Sequence, residues 1–337
     1  MNNFAAPVRR KWDEAWLTGA STWIDRAVTN LGAAVDGPVE QRHERPWSTV
    51  LYVPTTSGPL WFKANGTSAV HEAGVLTTMH QLVPGRVPLP VASDEDTGWF
   101  LMNHAGTAMT ASPTLEADLA RWEATLRDYA RLQCDLSFHS AELVRAGTPD
   151  LRPCSVPASF DELLDAPEDL WVDQPGGLTG AEFEGLRSLR NTIRDWCDEL
   201  DQIGIADTMQ HDDLHSGNIF RNGSGQHIFI DWADACVSQP FGSLLHPERE
   251  LMDRWGLDPE GPELSHLRSA YFEPWSDVFD AATLHRARQL ALLMTCVVRA
   301  LAWRRALEGV ERAALKEYYA RPEPRWLRKL LQADPLS

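Results

Sequence analysis

The fold of this chain is decided by residues 208–235, which read TMQHDDLHSGNIFRNGSGQHIFIDWADA. This stretch places three side chains with oxygen ligands, Asp213, Asn218 and Asp231, at intervals of five and thirteen residues. Hard cations such as Mg²⁺ take oxygen ligands and usually keep several waters, so one or two carboxylates plus substrate phosphates complete their coordination. The stretch therefore predicts a site for phosphoryl transfer.

Composition restricts the partners of the protein. Among 337 residues, 31 are Lys or Arg and 48 are Asp or Glu, which gives a net charge of −17. This balance argues against a nucleic-acid partner, because neutralising phosphates requires clustered basic residues. An acidic surface serves solubility, and it also raises the local concentration of a cationic substrate. Both interpretations remain open at this point.

Several features predict a soluble, cytoplasmic protein without a membrane partner. The five cysteines include no CxxC pair, which argues against a disulfide framework or a zinc site and for a reducing compartment. The first residues lack the apolar region of a signal peptide. The most apolar segment, residues 289–298, is too short to span a bilayer and is typical of a buried helix.

Hydrophobic periodicity divides the chain into three parts. Residues 1–38 carry a helical pattern and form an N-terminal extension. Residues 39–103 alternate as strands, with one helical segment inserted at 68–83, and predict a small antiparallel sheet with one helix. Residues 104–337 are mainly helical, apart from a loop-rich excursion at 148–178 that holds several prolines.

The segment HDDLHSGN, followed by IDW, resembles the catalytic loop and the metal-binding aspartate of the aminoglycoside phosphotransferase family. That family belongs to the kinase-like superfamily, with choline, homoserine, fructosamine and sugar kinases. Further matches follow in the expected order: Lys63 in LWFKAN, Glu72 in the inserted helix, and FLMNHAG at 100–106 as the passage between lobes. The resemblance implies an α+β, two-lobed protein-kinase-like fold, with a small antiparallel-sheet N-lobe and a large, mainly helical C-lobe.

The resemblance also implies roles for the matched residues. Asp213 would accept the proton of the substrate hydroxyl, or orient that hydroxyl for attack on the γ-phosphate. Asn218 and Asp231 would hold Mg²⁺ between the nucleotide phosphates. Lys63 would bind the α- and β-phosphates and be held in place by Glu72.

The predicted nucleotide site departs from the family pattern in one respect. Backbone groups of Met102, Asn103 and His104 would hydrogen-bond the adenine edge in an apolar cleft. However, QRHERPWSTVLY at 41–52, where a glycine-rich phosphate cradle is expected, contains no glycine. Ser48 or its neighbouring amides are the candidates to cover the phosphates. The donor, ATP or GTP, is left open.

The other polar residues of the loop have less specific interpretations. His211 and His215 are interpreted as orienting the loop through backbone hydrogen bonds, although both also qualify as metal ligands. Asp212 has no role that the sequence supports and is expected to be solvated.

The acceptor is expected between the catalytic loop and the C-terminal helices. Carboxylates there would pair with ammonium groups, and indoles would stack on sugars or cations. The candidates are Asp234, Glu248, Glu250, Asp253, Trp255, Trp275, Asp277 and Trp303.

The sequence thus predicts Mg²⁺-dependent phosphorylation of a hydroxyl on a small molecule. An aminoglycoside or related cationic amino sugar is the leading acceptor, and a primary-metabolite alcohol or sugar is the alternative, since the fold does not fix the acceptor. Two rivals belong to other classes: a catalytically silent nucleotide-binding regulator, and a hydrolase using His211, Asp213, His215 and Asp231 as ligands of a transition metal. A monomer and a homodimer are equally compatible with the sequence.

Overall fold

The computed structural model describes residues 12–312 and 315–336, so part of the N-terminal extension lies outside the described residues. The strands are β1 (Glu40–Arg45), β2 (Ser48–Val53), β3 (Leu60–Asn65), β4 (Pro90–Asp94), β5 (Trp99–Asn103), β6 (Thr107–Ala108), β7 (Thr208–Gln210), β8 (Ile219–Arg221), β9 (His227–Phe229) and β10 (Cys236–Ser238). The helices are α1 (Glu14–Asn30), α2 (Glu72–Leu82), α3 (Leu115–Ser137), α4 (Ser140–Arg145), α5 (Val156–Leu164), α6 (Gly180–Ser188), α7 (Arg190–Ile203), α8 (Leu245–Trp255), α9 (Pro262–Phe272), α10 (Ala281–Ala306), α11 (Glu317–Ala320) and α12 (Pro322–Gln332).

The small lobe is a five-stranded antiparallel sheet in the order β1-β2-β3-β5-β4. In β2, buried Leu51 and Val53 alternate with half-buried residues, as expected for a strand with one face on a core. The predicted hairpin of β2 and β3 and the inserted helix α2 are confirmed. Strand β1 was missed, because its polar sequence EQRHER is that of an exposed edge strand with no apolar alternation.

Helix α1 packs on the sheet of the small lobe. Asp13 caps its first turn, where Oδ1 accepts a hydrogen bond from the amide of Trp16 (3.0 Å). Its apolar face buries Ile24 and Val28 in a cluster with Leu51 and other residues of β2, β3 and β5. The described part of the N-terminal extension therefore stabilises the small lobe by burying apolar surface.

The large lobe is built around α3 and α10. Helix α10 runs for 26 residues and is buried on most of its faces, which explains its apolar sequence. The excursion at 148–178 contains a helix, α5, that the sequence interpretation missed. Pro157 lies in its first turn, where a missing amide hydrogen costs nothing, and Phe160 and Leu163 are buried. The predicted fold class, α+β with an antiparallel small lobe and a mainly helical large lobe, is confirmed.

None of the helices within residues 12–312 and 315–336 combines the length and the apolar character that crossing a membrane requires.

Candidate active site

The loop between β7 and β8 is held by its two histidines. Nε2 of His211 donates to the carbonyl of Ile230 (2.8 Å), which ties the start of the loop to the end of β9. Nδ1 of His215 accepts from the amide of Gly217 (3.0 Å). The side chain of Asn218 donates to the carbonyl of Asp213 (3.0 Å) and so closes the loop. The histidines therefore orient the loop through its backbone, which is the interpretation that the sequence favoured.

Asp213 points into a cluster of nitrogen groups. Its Oδ2 lies 3.6 Å from Nε2 of His215, and its Oδ1 lies 3.6 Å from Nε2 of His246. Burial alone would raise the pKa of Asp213, but the contact with His215 and the charge of Arg299 outweigh it and hold the pKa well below its ordinary value. Asp213 is therefore an ionised carboxylate at neutral pH. The same contact raises the pKa of His215.

Lys63, Glu72 and Asp231 converge from three separate elements. Nζ of Lys63, on β3, lies 2.8 Å from Oε1 of Glu72 at the start of α2 and 2.6 Å from Oδ1 of Asp231 after β9. Burial opposes the charge of Lys63, but the two carboxylates outweigh it and raise its pKa. Oε1 of Glu72 also accepts from the amide of Trp232 (2.9 Å), and its Oε2 accepts from Nδ2 of Asn65 (2.7 Å). Glu72 thus joins both lobes.

Asp212 is buried, so the expectation that it is solvated was wrong. Its Oδ1 accepts from Nε2 of Gln210 (3.0 Å), and its backbone carbonyl accepts from Nη1 of Arg299 (2.6 Å). Burial raises the pKa of Asp212 to about 7. The sequence did contain an indication that Asp212 is buried. Arg299 directly follows the most apolar segment, and an arginine on a buried helix requires a compensating charge.

A cleft of about 1000 Å³ lies between the two lobes. Its lining gathers the following of the predicted residues: Ser48, Asp213, Asn218, Asp231, Asp234, Glu250, Asp253 and Trp303. Burial raises the pKa of Asp234 to about 6. Met102, Asn103 and His104 lie beside this lining at the end of β5. Trp61 connects them to it, since it lines the cleft and its Nε1 donates to Nδ1 of His104 (2.9 Å).

Four predicted acceptor residues are not brought into the cleft, namely Glu248, Trp255, Trp275 and Asp277. Glu248 is fully buried on the core face of α8, where it accepts from Nε of Arg268 (3.1 Å) and Nε of Arg288 (2.8 Å). Trp275 packs in the core against Phe241, with ring centroids 5.2 Å apart. Within α8, helical periodicity separates Glu248 and Trp255 from Glu250 and Asp253, which share another face of the helix. The four candidates outside the cleft are corrected to structural residues, apart from exposed Asp277.

The turn between β1 and β2 is anchored by an aromatic side chain that sequence reasoning missed. Trp47 contacts Trp303 of α10 edge-on (5.2 Å between centroids) and Tyr319 of α11 (5.4 Å). On its other side, the carbonyl of Trp47 accepts from the amide of Gly66 (2.6 Å). The turn, which contains no glycine, is therefore anchored at the cleft by Trp47, which contacts α10 and α11 on one side and Gly66 on the other.

The oxygen ligands in the cleft suit a hard cation. The carboxylate of Asp231 and the amide of Asn218 both line it, and Mg²⁺ characteristically takes few protein ligands and keeps waters and phosphates. Among the described residues, no three or more His, Cys, Asp or Glu side chains are placed to hold a metal. The ring of His211 is turned to a backbone carbonyl. This contact takes Nε2 of His211 out of the set of ligands that the hydrolase alternative requires.

Comparison with known proteins gives a consistent result. The sequence model of the phosphotransferase enzyme family matches residues 61–245. No curated protein matches the chain. Among solved structures, a type I macrolide 2′-phosphotransferase is similar over 92% of this chain and 97% of its own (16% identity, TM-score 0.58).

Two further solved structures share the fold. An ethanolamine kinase from Plasmodium vivax is similar over 98% of this chain and 90% of its own (14% identity, TM-score 0.61). An amicoumacin kinase in complex with AMP-PNP and Ca²⁺ is similar over 97% and 95%, respectively (13% identity, TM-score 0.58). At these identities the likeness shows the two-lobed fold alone.

Proposed function

The chain belongs to the phosphotransferase enzyme family, and from that premise we propose that it transfers the γ-phosphate of ATP or GTP to a hydroxyl of a small molecule in a Mg²⁺-dependent reaction. The observation that carries the proposal is the convergence of buried Lys63 and Glu72 behind Asp231, which lines one cleft together with Asp213. Positioning and electrostatic stabilisation supply nearly all of the catalysis in phosphoryl transfer, and these residues would supply both.

Asp213 would orient the acceptor hydroxyl. Its pKa lies well below the ordinary value, so it is a weak base and does not remove the proton of an alcohol before transfer begins. In a loose transition state the proton leaves late, and an ionised carboxylate that accepts a hydrogen bond from the hydroxyl aligns the oxygen for in-line attack. His215 and Asn218 would fix the position of that carboxylate.

Lys63 would bind the α- and β-phosphates, with Glu72 holding its ammonium in place. Asn218 and Asp231 would hold Mg²⁺, which when bound neutralises charge on the phosphates. The backbone at Met102–His104 would bind the adenine edge. The turn at Ser48 would lie over the phosphates, held by Trp47.

The proposed acceptor is a cationic amino sugar or a related compound. Asp234, Glu250 and Asp253 line the same cleft as Asp213, and their carboxylates suit an ammonium group. The names of the macrolide phosphotransferase and amicoumacin kinase are compatible with such an acceptor, whereas that of the ethanolamine kinase favours a small alcohol.

The test is a panel of aminoglycosides, amino sugars and small amino alcohols, with formation of ADP and GDP read out separately. We expect acceptor-dependent turnover that falls by about 10²–10⁴ in Asp213→Asn and collapses in Asp231→Asn. Asp277→Asn, an exposed aspartate outside the cleft, serves as the matched control. Wild-type rates in both cleft variants would overturn the assignment of roles. Tight nucleotide binding without transfer to any acceptor would favour the silent regulator.

A further inference from the structure

We propose that the acceptor also carries an anionic group, a carboxylate, sulfate or phosphate, that pairs with Arg249 and Arg305. The acceptor would then be amphoteric, with an ammonium group near Asp234 and Glu250 and an anion near the two guanidiniums. This inference rests on the proposed function, because it assigns these arginines to the acceptor half of the same cleft.

The charge of the cleft is opposite to the charge of the chain. The whole chain has 48 acidic and 31 basic residues. Among the described residues that line the cleft, arginines outnumber carboxylates by seven to five. A cleft with low-dielectric walls focuses the field of the charges that line it, so its lining sets the preferred ligand charge more than the net charge of the protein does.

Arg249 and Arg305 stand out among the arginines that α8 and α10 bring to the cleft, because neither forms an ion pair with a described residue. No carboxylate of the described residues lies within 4.0 Å of either guanidinium. Both side chains are half-buried, and Nη2 of Arg305 is buried without a hydrogen-bond partner. Their neighbours on the same helices are paired: Arg254 of α8 with Asp118 (3.4 Å) and Arg299 of α10 with Asp212 (3.3 Å). A half-buried, unpaired cation is costly unless a ligand supplies the counter-charge.

The two arginines line the cleft from the large lobe. Arg249 precedes Glu250 on α8, and Arg305 follows Trp303, which contacts Trp47 of the turn, by two residues on α10. The nucleotide phosphates, in contrast, are assigned to Lys63 on the sheet of the small lobe. Both arginines therefore belong to the helices that carry the proposed acceptor residues.

Arg249 is also held in place before any ligand binds. Its guanidinium lies 5.6 Å from the ring centroid of Trp326, and that of Arg299 lies 5.5 Å from the same ring. A cation placed over an indole loses little freedom when it pairs with an anion. This arrangement suits a planar, bidentate contact with a carboxylate or a phosphate.

A binding experiment decides the inference without any acceptor being known. Inorganic phosphate is titrated by calorimetry into protein saturated with Mg²⁺ and AMP-PNP, at constant ionic strength, so that the nucleotide site is already filled. We expect binding that weakens at least about tenfold in Arg249→Gln and Arg305→Gln, since each removes one charge-assisted pair. Arg249→Lys should keep part of the affinity. Arg145→Gln, an exposed arginine of α4 outside the cleft, is the matched control.

Two results would overturn the inference. The first is that phosphate does not bind to the nucleotide-saturated wild type, or that it still binds when Arg249→Gln and Arg305→Gln are combined in one variant. The other is a loss of AMP-PNP affinity in the variants without any effect on phosphate, which would assign the arginines to the nucleotide. A folded state is checked by thermal melting of each variant.

A second arm separates this inference from the proposed function. Phosphate transfer is measured with glucosamine and with muramic acid, which adds a carboxylate to the same amino sugar. Turnover of both sugars with equal KM, unchanged in Arg249→Gln, would refute the anionic group while the proposed function stands. Conversely, the protein could bind phosphate through Arg249 and yet neither hydrolyse a nucleotide nor transfer its γ-phosphate. That result would refute the proposed function while the anion site stands.

Discussion

Glu72→Gln is the sharpest test of how the two lobes form one catalytic site. Oε1 of Glu72 lies 2.8 Å from Nζ of Lys63 and 2.9 Å from the amide of Trp232, and Oε2 lies 2.7 Å from Nδ2 of Asn65. Glutamine keeps the size of the side chain but removes its charge, and its NH₂ group must face one of these donors. In this variant, Asp231 is the carboxylate that still contacts the ammonium of Lys63.

The expected effect follows from these contacts. A hydrogen bond to a charged group contributes about 1.5–3 kcal/mol, and about 1.4 kcal/mol corresponds to a tenfold change in rate. If Lys63 is positioned by Glu72 for transfer, kcat/KM for the nucleotide falls by about 10- to 150-fold. In addition, Lys63 pairs more completely with Asp231, so Mg²⁺ has to compete with it. The Mg²⁺ concentration for half-maximal activity should rise by about tenfold.

The assay is steady-state formation of the nucleoside diphosphate at varied nucleotide and Mg²⁺, with melting followed by circular dichroism. Glu184→Gln is the matched control, since Glu184 is an exposed glutamate of α6 remote from the cleft. If the folded Glu72→Gln protein keeps kcat/KM within about threefold and an unchanged Mg²⁺ requirement, Glu72 is only a structural residue and the reasoning fails.

Two further predictions address the turn over the cleft and the acceptor side. Trp47→Ala removes two aromatic pairs across the cleft, each worth about 0.5–1.5 kcal/mol. The KM for the nucleotide should therefore rise about tenfold, with little change in kcat. An unchanged KM would mean that the turn does not cover the phosphates. Burial raises the pKa of Asp234 to about 6, so below that pH its carboxyl is neutral and cannot pair with an ammonium. The KM for an amine acceptor, measured from pH 5 to 8 in parallel with that for the nucleotide, should rise as pH falls below about 6, by up to about tenfold per unit, and Asp234→Asn should abolish this dependence; the same slope in the variant would assign it to another group.

The sequence predicted the elements whose residues are close together along the chain. The loop at 211–218 and Asp231 could be recognised because hydrogen bonds within one short stretch hold them, as His211 and Asn218 show. Lys63 and Glu72 were found by their order on a strand and a helix. Their assignment to catalysis stays a prediction, since only their positions are known.

The features that were missed depend on packing between distant segments. Asp212 looked like one more polar residue of the loop, but Arg299 reaches it from α10, 87 residues further along the chain. Glu248 and Glu250 are two positions apart and equally acidic. Glu248 pairs with arginines in the core, whereas Glu250 lines the cleft. Which of the two faces the core depends on the orientation of α8, and the sequence does not give that orientation.

The same reasoning explains why net charge was a poor guide to the ligand. Along α8 the sequence alternates Arg249-Glu250 and Asp253-Arg254, so any window over it is nearly neutral. Arg305 lies on another helix, and Arg42 and Arg45 lie on β1, so the surplus of positive charge exists only because both lobes contribute arginines to one cleft. Charge summed over the chain describes the surface, where most carboxylates meet water and are screened. The charge that the cleft prefers is set by those of its described lining groups that lack an ion pair, and these have both signs: they include the guanidiniums of Arg249 and Arg305 and the carboxylates of Asp234 and Asp253.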